Sequence, residues 1–315
     1  MMTALAAPAI TFTRDLLTGS EWSPAVVREL YHLAADIKSR PDRYCGALGG
    51  RFLALIFEKP SLRTRVTFEV GIQSMGGSAV FLDHTASRLG ERESVKDVAR
   101  NLERWVQGIV ARTFSQSAVE ELAEHASIPV INALSNRYHP CQALADLFTL
   151  EERFSSLRGL KLAYIGDGNN VCHSLLAAGA RVGAHVRVAT PAAYAPDPNV
   201  VADARRAARE TRARIELFTS PQEAVAGAQA VYTDVWASMG QEHEADARKN
   251  IFAPYQVNET LMELAAPDAV FLHCLPAHRG SEVTSGVMDS PCSFVYDQAE
   301  NRLHVQKAIL LMLLR

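Results

Sequence analysis

Short β-type runs alternate with helix-length segments along the whole 315-residue chain. In the first half the strand candidates are FLALIFE (52–58), GSAVFLDH (77–84), GIVARTF (108–114) and PVINAL (129–134). In the second half they are LKLAYIGD (160–167), HVRVATP (185–191), RIELFT (214–219), AVYTDVW (230–236) and AVFLHCLP (269–276). Strands separated by helices form βαβ units, which build parallel sheets. The pattern predicts an α/β protein with two mainly parallel sheets, each flanked by helices.

A boundary between two domains is predicted near 150–158, where a long helix ends in RFSSLRGLK before a new strand. A chain of this length has room for two domains of ordinary size. The last stretch, ENRLHVQKAILLMLLR, predicts a helix whose apolar residues need a surface to cover, so we expect it to pack back on the N-terminal domain. The predicted division is 1–150, 151–297 and a returning C-terminal helix, 298–315.

The charge balance limits the partners of the chain. The formal net charge is −3, without the basic excess of proteins that bind nucleic acids or anionic membranes, so neither partner is expected. The five cysteines form no CxxC pair, which argues against a zinc site or disulfides and favours a reducing cytoplasm. The first residues lack the basic group of a signal peptide, and the late apolar run AILLMLL is too short to span a membrane.

The stretch FEKPSLRTR places several anion-binding groups at a predicted strand end. Pro60 stops the strand and Ser61 can begin a helix, so 62–65 lie in a first turn, where backbone amides are unpaired and the helix dipole is positive. Hydroxyl and guanidinium donors from Ser61, Arg63 and Thr64 suit a phosphate at such a terminus. The plainer alternative is a capped surface helix with solvated arginines.

Further polar residues follow the other strand ends of the first domain. Arg112 lies at the end of the third strand, and His139 and Gln142 lie at i and i+3 where a helix begins after the fourth. In open parallel sheets, ligands bind at the carboxyl ends of the strands, so these residues are predicted to converge on one site. A structural role remains the alternative for His139.

The second domain opens with YIGDGNNVCHS, which resembles a dinucleotide-binding turn only in part. Val171 replaces the third glycine of GxGxxG, and the next strand ends in Thr190 rather than an acidic residue, so a nicotinamide cofactor is not expected. The amides of Asn169 and Asn170 either bind a carboxylate or an amine, or hold the turn together.

The last two strands also end in reactive groups. Asp234 and Ser238 lie near the carboxyl end of one strand, and the final strand brings His273 and Cys274 to the same rim. Pro276 favours a cis peptide bond. For Cys274 the alternative is an inert core thiol.

Seven motifs occur in one order over nearly the whole chain: SLRTR, ARTF, HPCQ, GDGNN, DVWASMGQE, HCLP and ENRLH. In this order they resemble the aspartate/ornithine carbamoyltransferase family, and D-x-W-x-S-M-G and HCLP are typical of its ornithine branch. The resemblance implies transfer of the carbamoyl group of carbamoyl phosphate to the δ-amine of L-ornithine, giving L-citrulline and phosphate. The amine would attack directly, through a tetrahedral intermediate, without a metal or a cofactor.

The resemblance also implies roles for individual residues. Carbamoyl phosphate would be bound by Ser61, Leu62, Arg63, Thr64, Arg112, His139, Gln142, Cys274, Leu275 and Arg302. Ornithine would be bound by Asn170, Asp234, Ser238 and Met239. The catalytic residues would be Arg112, His139, Asp234 and Cys274. Leu62 departs from the threonine frequent in this motif, so only its backbone amide is expected to contact the phosphate.

The resemblance further implies a homotrimer, or an assembly of trimers, with active sites between subunits. The segment SRLGERES resembles the loop that reaches a neighbouring site in this family, although Arg88 stands where many members have glutamine. The alternatives are a carbamoyltransferase for N-acetylornithine, putrescine or aspartate, or an inactive relative; the complete motifs argue against them. Arginine biosynthesis and the reverse, catabolic direction are both compatible with these residues.

Overall fold

The computed structural model describes residues 13–237 and 244–315, which contain two parallel β-sheets. The first sheet has the order β2-β1-β3-β4 and consists of β1 (Phe52–Phe57), β2 (Ser78–Asp83), β3 (Gly108–Arg112) and β4 (Val130–Leu134). The second has the order β7-β6-β5-β8-β9 and consists of β5 (Lys161–Ile165), β6 (His185–Ala189), β7 (Ile215–Phe218), β8 (Ala230–Thr233) and β9 (Val270–His273). The predicted α/β class with two parallel sheets is confirmed.

Helices cover both sheets. The first domain contains α1 (Pro24–Ser39), α2 (Leu62–Ser74), α3 (Val95–Leu102), α4 (Gln116–His125) and α5 (Pro140–Phe154). The second contains α6 (Asn170–Val182), α7 (Pro198–Thr211), α8 (Pro221–Val225), α9 (Ala245–Phe252), α10 (Glu259–Met262) and α11 (Ser285–Met288). The last helix is α12 (Val295–Leu314), and short 3-10 helices lie at Pro41–Tyr44, Ala192–Tyr194 and Ala253–Tyr255. No helix of the described residues combines the length and apolar character needed to cross a membrane.

Most strands are buried on both faces, which explains their continuous apolar runs, whereas the edge strands β2 and β7 are partly exposed. In β1, Leu53 and Leu55 pack in the cluster that includes α1, α2, α5 and α12, whereas Ala54 and Ile56 pack against α3 and α4. Several strands are shorter than predicted at the carboxyl end, such as β8, which ends at Thr233. The polar residues beyond these strand ends are not part of the sheets, because they line the cleft between the two sheets.

The helix α12 packs against α1, α2 and α5, so its predicted return to the N-terminal domain is confirmed. Ile309 and Leu310 are fully buried in the core that the two domains share, and Leu313 packs against that core. The helices α5 and α6 also pack against each other, one from each domain. The domains are therefore joined by a continuous apolar core.

The strand orders place the functional loops opposite each other. In the first sheet the chain goes from β1 to one edge strand, β2, and from β3 to the opposite edge strand, β4. In the second sheet it goes from β5 through β6 to the edge strand β7, and from β8 to the opposite edge strand, β9. Ligands of open parallel sheets bind at such reversals, beyond the carboxyl ends of the strands. The loops after β1 and β3 therefore face the loops after β5 and β8 across one cleft.

Candidate active site

A cavity of about 500 Å³ lies in this cleft. Every predicted site residue that the structure describes lines it: Ser61, Leu62, Arg63, Thr64, Arg112, His139, Gln142, Asn170, Asp234, Cys274, Leu275 and Arg302. Ser238 and Met239 lie outside the described residues. The convergence predicted from the strand ends is therefore present in the fold, while the role of each residue stays a prediction.

The N-terminus of α2 forms one end of the cavity. Ser61 caps this helix, and its hydroxyl accepts a hydrogen bond from the backbone amide of Thr64 at 3.3 Å. The side chain of Leu62 is largely exposed, so this residue offers the site its backbone amide. Arg65 does not contribute, because it pairs with Glu69 at 2.9 Å outside the cavity.

Three guanidinium groups meet beside this helix terminus. Arg302 of α12 donates a hydrogen bond from Nη2 to the hydroxyl of Thr64 at 2.7 Å. Burial, together with the charges of Arg302 and Arg63, lowers the pKa of Arg112 to about 9. None of the three arginines forms an ion pair with another described residue. This end of the cavity therefore concentrates positive charge that an anion would neutralise.

His139 lies next to this cluster as an uncharged group. Burial and the charges of Arg302 and Arg112 hold the pKa of its imidazole well below the usual range. Its backbone amide donates to the hydroxyl of Ser174 in the second domain at 2.7 Å. A neutral imidazole has one N–H to donate, so His139 can offer a hydrogen bond to a substrate oxygen without adding charge.

The other side of the cavity is formed by Asp234 and Cys274. The thiol of Cys274 donates to Oδ1 of Asp234 at 3.0 Å, and Asn169 donates from Nδ2 to Oδ2 at 2.8 Å. Burial and the neighbouring carboxylate hold the pKa of Cys274 well above the usual range, so its sulfur is protonated at neutral pH. The side thus presents one oriented carboxylate and one neutral thiol.

Asn170 joins the two domains at the cavity wall. Its Nδ2 donates to the carbonyl of Ser135 in the loop before α5, at 2.7 Å. The preceding residue, Asn169, caps α6 by accepting from the amides of Val171 and Cys172 through Oδ1. Of the two alternatives for these amides, holding the turn is therefore observed for Asn169.

The turn after β9 is held by His273. Its Nδ1 accepts from the backbone amide of Leu275 at 2.9 Å, so its Nε2 carries the proton and donates to Glu282 at 3.2 Å. Leu275 has a φ of 59°, and the predicted cis bond before Pro276 is present. This geometry places Leu275 and Cys274 together at the cavity.

Asp234, His273 and Cys274 also bring three potential metal ligands within 4.8 Å of one another. Each ligand group already has a protein partner: the thiol donates to the carboxylate, and both imidazole nitrogens of His273 are engaged. Protein hydrogen bonds are therefore sufficient to explain why this trio is close together.

The sequence reasoning missed Lys59, which also lines the cavity. Its ammonium lies 4.5 Å from the centre of the Phe114 ring, and Arg88 stacks on the same ring at 4.6 Å. The available signal was its position at the carboxyl end of β1, directly before Pro60. His278, which follows the cis proline by two residues, also lines the cavity and was also missed. Like Lys59, it lies close to a recognised motif, and this position was the signal that could have found it.

The fold and the cavity together define a two-domain α/β protein with a cationic cleft between the carboxyl ends of two parallel sheets. Two family profiles match this chain: the carbamoyl-P binding domain of aspartate/ornithine carbamoyltransferase over residues 14–152, and its Asp/Orn binding domain over residues 158–313. The chain belongs to the aspartate/ornithine carbamoyltransferase family.

Individual relatives are similar over nearly their whole length. The ornithine carbamoyltransferase of Thermococcus kodakarensis is 54% identical, with 96% of both chains covered, and that of Halalkalibacterium halodurans is 53% identical, with 96% of this chain and 95% of the relative covered. The solved ornithine carbamoyltransferase of Pyrococcus furiosus has a TM-score of 0.93 at 48% identity, covering 96% of this chain and 97% of that one. That of Thermus thermophilus has a TM-score of 0.87 at 49% identity, covering 97% and 100%.

Proposed function

We propose that this protein transfers the carbamoyl group of carbamoyl phosphate to the δ-amine of L-ornithine, giving L-citrulline and phosphate. One observation supports this most directly. A single cavity joins a helix terminus and three guanidinium groups, which form no ion pair with the described residues, to the oriented Asp234–Cys274 pair. The first end suits a phosphate, and the second suits an amine that must lose a proton. The relatives named ornithine carbamoyltransferase support the same conclusion.

The phosphate is assigned to the N-terminus of α2. The backbone amides of that turn, including Leu62, and the side chains of Ser61, Arg63 and Thr64 bind its oxygens. The positive end of the helix and the guanidinium charge stabilise this group most when it leaves with its full negative charge. Phosphate is thereby a good leaving group at this position.

The carbamoyl group is assigned to the residues beyond that terminus. When the amine nitrogen attacks the carbamoyl carbon, a C–N bond forms and negative charge develops on the carbonyl oxygen. Arg112 and neutral His139 donate hydrogen bonds to this oxygen, and a well-placed donor of this kind contributes about 3 kcal/mol to the transition state. The bond from carbon to the phosphate oxygen then breaks, and its electron pair leaves with the phosphate.

The amine is assigned to the Asp234 side of the cavity. Ornithine's δ-amine has a pKa of about 10.4 in water and is mostly protonated at neutral pH, so one proton leaves to solvent before attack and a second passes to the departing phosphate after it. The carboxylate of Asp234 orients the ammonium, while Cys274 and the carbonyl of Leu275 contact the nitrogens at the reacting centre. Asn170, with Ser238 and Met239, is proposed to hold the amino-acid head.

Product formation tests this function. Ornithine, N-acetylornithine, putrescine and aspartate are each supplied with carbamoyl phosphate, and the carbamoylated product is quantified by mass spectrometry. We expect citrulline from ornithine and at least 100-fold slower turnover of the other amines. Turnover of a different amine would overturn the assignment of the Asp234 side, and no turnover of any amine would favour an inactive relative.

The surface of the first domain supports a homo-oligomer, which we propose is a trimer. Leu62, Val66 and Val70 form an exposed stripe along α2 at 76%, 45% and 44% exposure. Val80 is 51% exposed and lies on β2, an edge strand of the first sheet. Apolar side chains at i, i+4 and i+8 share one helix face, and a contiguous exposed patch of this kind marks an interaction surface.

A charge placed in this stripe tests the assembly. We expect Val66→Glu or Val70→Glu to convert the trimer to monomers in sedimentation velocity. Leu264→Glu is the matched control, because Leu264 is also 44% exposed but belongs to the second domain. Dissociation by the control, or none by the two α2 variants, would contradict this interface.

The remaining assignments follow from the proposed reaction and the sequence. A cytoplasmic location fits the five unpaired cysteines. Synthesis of citrulline as a step toward arginine is proposed as the cellular role. The division into 1–150, 151–297 and 298–315 is proposed for the substrate domains and the returning helix.

A further inference from the structure

A buried carboxylate lies one helical turn behind the cavity. Asp146 in α5 is fully buried, and its Oδ1 accepts two amide hydrogen bonds: from Nε2 of Gln142 at 2.7 Å and from Nε2 of Gln298 at 2.6 Å. The hydroxyl of Tyr232 also hydrogen-bonds to this carboxyl group. A buried carboxylate is costly unless it is needed to satisfy specific donors. Neither the family motifs nor the proposed chemistry uses this group.

The carboxylate determines which way the amide of Gln142 faces. An ionised carboxylate only accepts hydrogen bonds, so Gln142 must direct its NH₂ group toward Asp146. Its Oε1 is then the free end; Gln142 lines the cavity, and Oε1 has no partner among the described residues. The C=O and NH₂ ends of the Gln142 amide have similar shapes. Without Asp146, the amide could therefore rotate by 180° and exchange these two ends.

The same carboxylate fixes a second amide, on the C-terminal helix. Gln298 of α12 directs Nε2 to Asp146, and its Oε1 accepts from the backbone amide of His273 at 3.0 Å. His273 is the last residue of β9, directly before Cys274. Asp146 therefore connects Gln142, which faces the carbamoyl group, through Gln298 to β9, the strand that ends at the amine side.

We propose that Asp146 is a positioning residue for the carbamoyl group: by holding the NH₂ of Gln142, it leaves Oε1 to accept a hydrogen bond from the carbamoyl NH₂. This inference rests on the proposed function. A reversed Gln142 would place its NH₂ against the carbamoyl NH₂, two donors without an acceptor, which destabilises the bound substrate. Binding of the phosphate half of the substrate does not depend on which way the Gln142 amide faces.

The experiment compares carbamoyl phosphate with inorganic phosphate in Asp146→Leu, which removes both acceptor oxygens and keeps a side chain branched at the γ position. Assays at pH 8 are above the pKa of Asp146, which burial raises to about 7. We expect the KM for carbamoyl phosphate to rise roughly tenfold or more. The inhibition constant of inorganic phosphate, which has no carbamoyl group for Gln142 to contact, is expected to stay within about twofold.

Two further variants separate positioning from general damage. Asp146→Asn keeps an oxygen acceptor, so its KM is expected to lie between those of the wild type and Asp146→Leu. Thr149→Val is the matched control, because Thr149 is buried on the same helix and contacts α12 through Asn301, but its hydroxyl bonds to the carbonyl of Ala145 rather than to Gln142. Its KM for carbamoyl phosphate is expected to match the wild type.

A double-variant cycle tests whether Asp146 acts through Gln142. In a Gln142→Ala background, Asp146→Leu is expected to add less than twofold to the KM, since the effects of coupled residues are not additive. Additive effects, an equal rise in the phosphate inhibition constant, or Asp146→Asn no better than Asp146→Leu would each overturn the proposal.

The outcome is separable from the proposed function itself. If wild-type protein does not consume carbamoyl phosphate, the proposed function fails before any variant is compared. If Asp146→Leu does not fold, Gln142→Ala alone remains a test: it must weaken carbamoyl phosphate binding and leave phosphate inhibition unchanged. An equal change in both would overturn the assignment of Oε1.

Discussion

At the scale of single residues, the cavity combines groups that are kept neutral with groups that are kept charged. Burial disfavours the charged form of both acids and bases, so His139 and Cys274 are uncharged at neutral pH. The arginines stay protonated because their intrinsic pKa is so high, even after burial has lowered that of Arg112 to about 9. Electrostatic attraction for an anion at this end therefore comes from the guanidinium groups and the helix terminus, and not from His139.

The protonated state of Cys274 leads to a test by alkylation. Because the thiolate is the reactive form, iodoacetamide at pH 7.5 is expected to modify Cys274 at least tenfold more slowly than the exposed Cys45. In Asp234→Asn, the loss of the carboxylate lowers the pKa of Cys274 and raises its labelling rate. The rates are followed by peptide mass spectrometry. Labelling of Cys274 as fast as Cys45 in the wild type would contradict the raised pKa.

The lowered pKa of Arg112 predicts the pH dependence of anion binding. The guanidinium is charged below its pKa of about 9 and loses its proton above it, so phosphate affinity is present below pH 9 and falls as the pH rises through this value. The inhibition constant of phosphate is expected to rise by up to about tenfold per pH unit above 9. In Arg112→Gln, inhibition is weaker at every pH and this rise is absent. A pH profile identical to that of the wild type would show that another group titrates.

Sequence reasoning found the residues whose type and position both indicated chemistry. Ser61, Arg63 and His139 follow strand ends directly, so the rule for parallel sheets placed them correctly in the cavity. Asp146 and Gln298 were not found, because they lie inside helices and meet only after α5 and α12 pack together. Contacts between residues so distant in the chain have no periodic signal in the sequence.

At the scale of secondary-structure elements, the start of α6 performs two tasks. Asn169 caps the helix through Oδ1 and orients Asp234 through Nδ2. The preceding Gly168 allows this turn to pass close to the loop at Pro196, since a Cβ on Gly168 would lie 2.3 Å from the Pro196 nitrogen. Helix capping and close packing thus explain the residues of the GDGNN motif.

Two substitutions of Asn169 are expected to separate these tasks. Asn169→Ser keeps a capping oxygen but loses the donor to Asp234, so the KM for ornithine is expected to rise severalfold with little change in stability. Asn169→Ala loses both, and the free energy of unfolding is expected to fall by about 1 kcal/mol more. Urea unfolding and steady-state kinetics measure the two effects. Equal stability of the two variants would contradict the capping role.

Helices were predicted from the sequence where local signals, such as a cap and an apolar face, were recognised. The helix predicted to begin at Ser61 corresponds to α2, in which Ser61 is the cap and Phe68 and Ile72 form a buried apolar face. The helix α1 was not singled out, although Ser23 caps it and Pro24 is its first residue. Its importance comes from packing against α12, which the order of elements along the chain does not show.

At the scale of the whole molecule, anion binding should be coupled to stability. Arg63, Arg112 and Arg302 repel one another in the empty cavity, and a bound phosphate relieves this repulsion. Phosphate at 100 times its dissociation constant is expected to stabilise the fold by about 2.7 kcal/mol and to raise the thermal midpoint. Sodium chloride at equal ionic strength is the control. An equal increase with chloride would show a nonspecific salt effect.

The packing of α12 also has a consequence for how the protein is made. The helix fills the surface between α1, α2 and α5, yet it follows the entire second domain along the chain. During synthesis the first domain emerges from the ribosome long before the helix that covers its core. Those apolar surfaces are therefore expected to stay open to chaperones until the last segment is translated, and the second domain is able to complete its own sheet first.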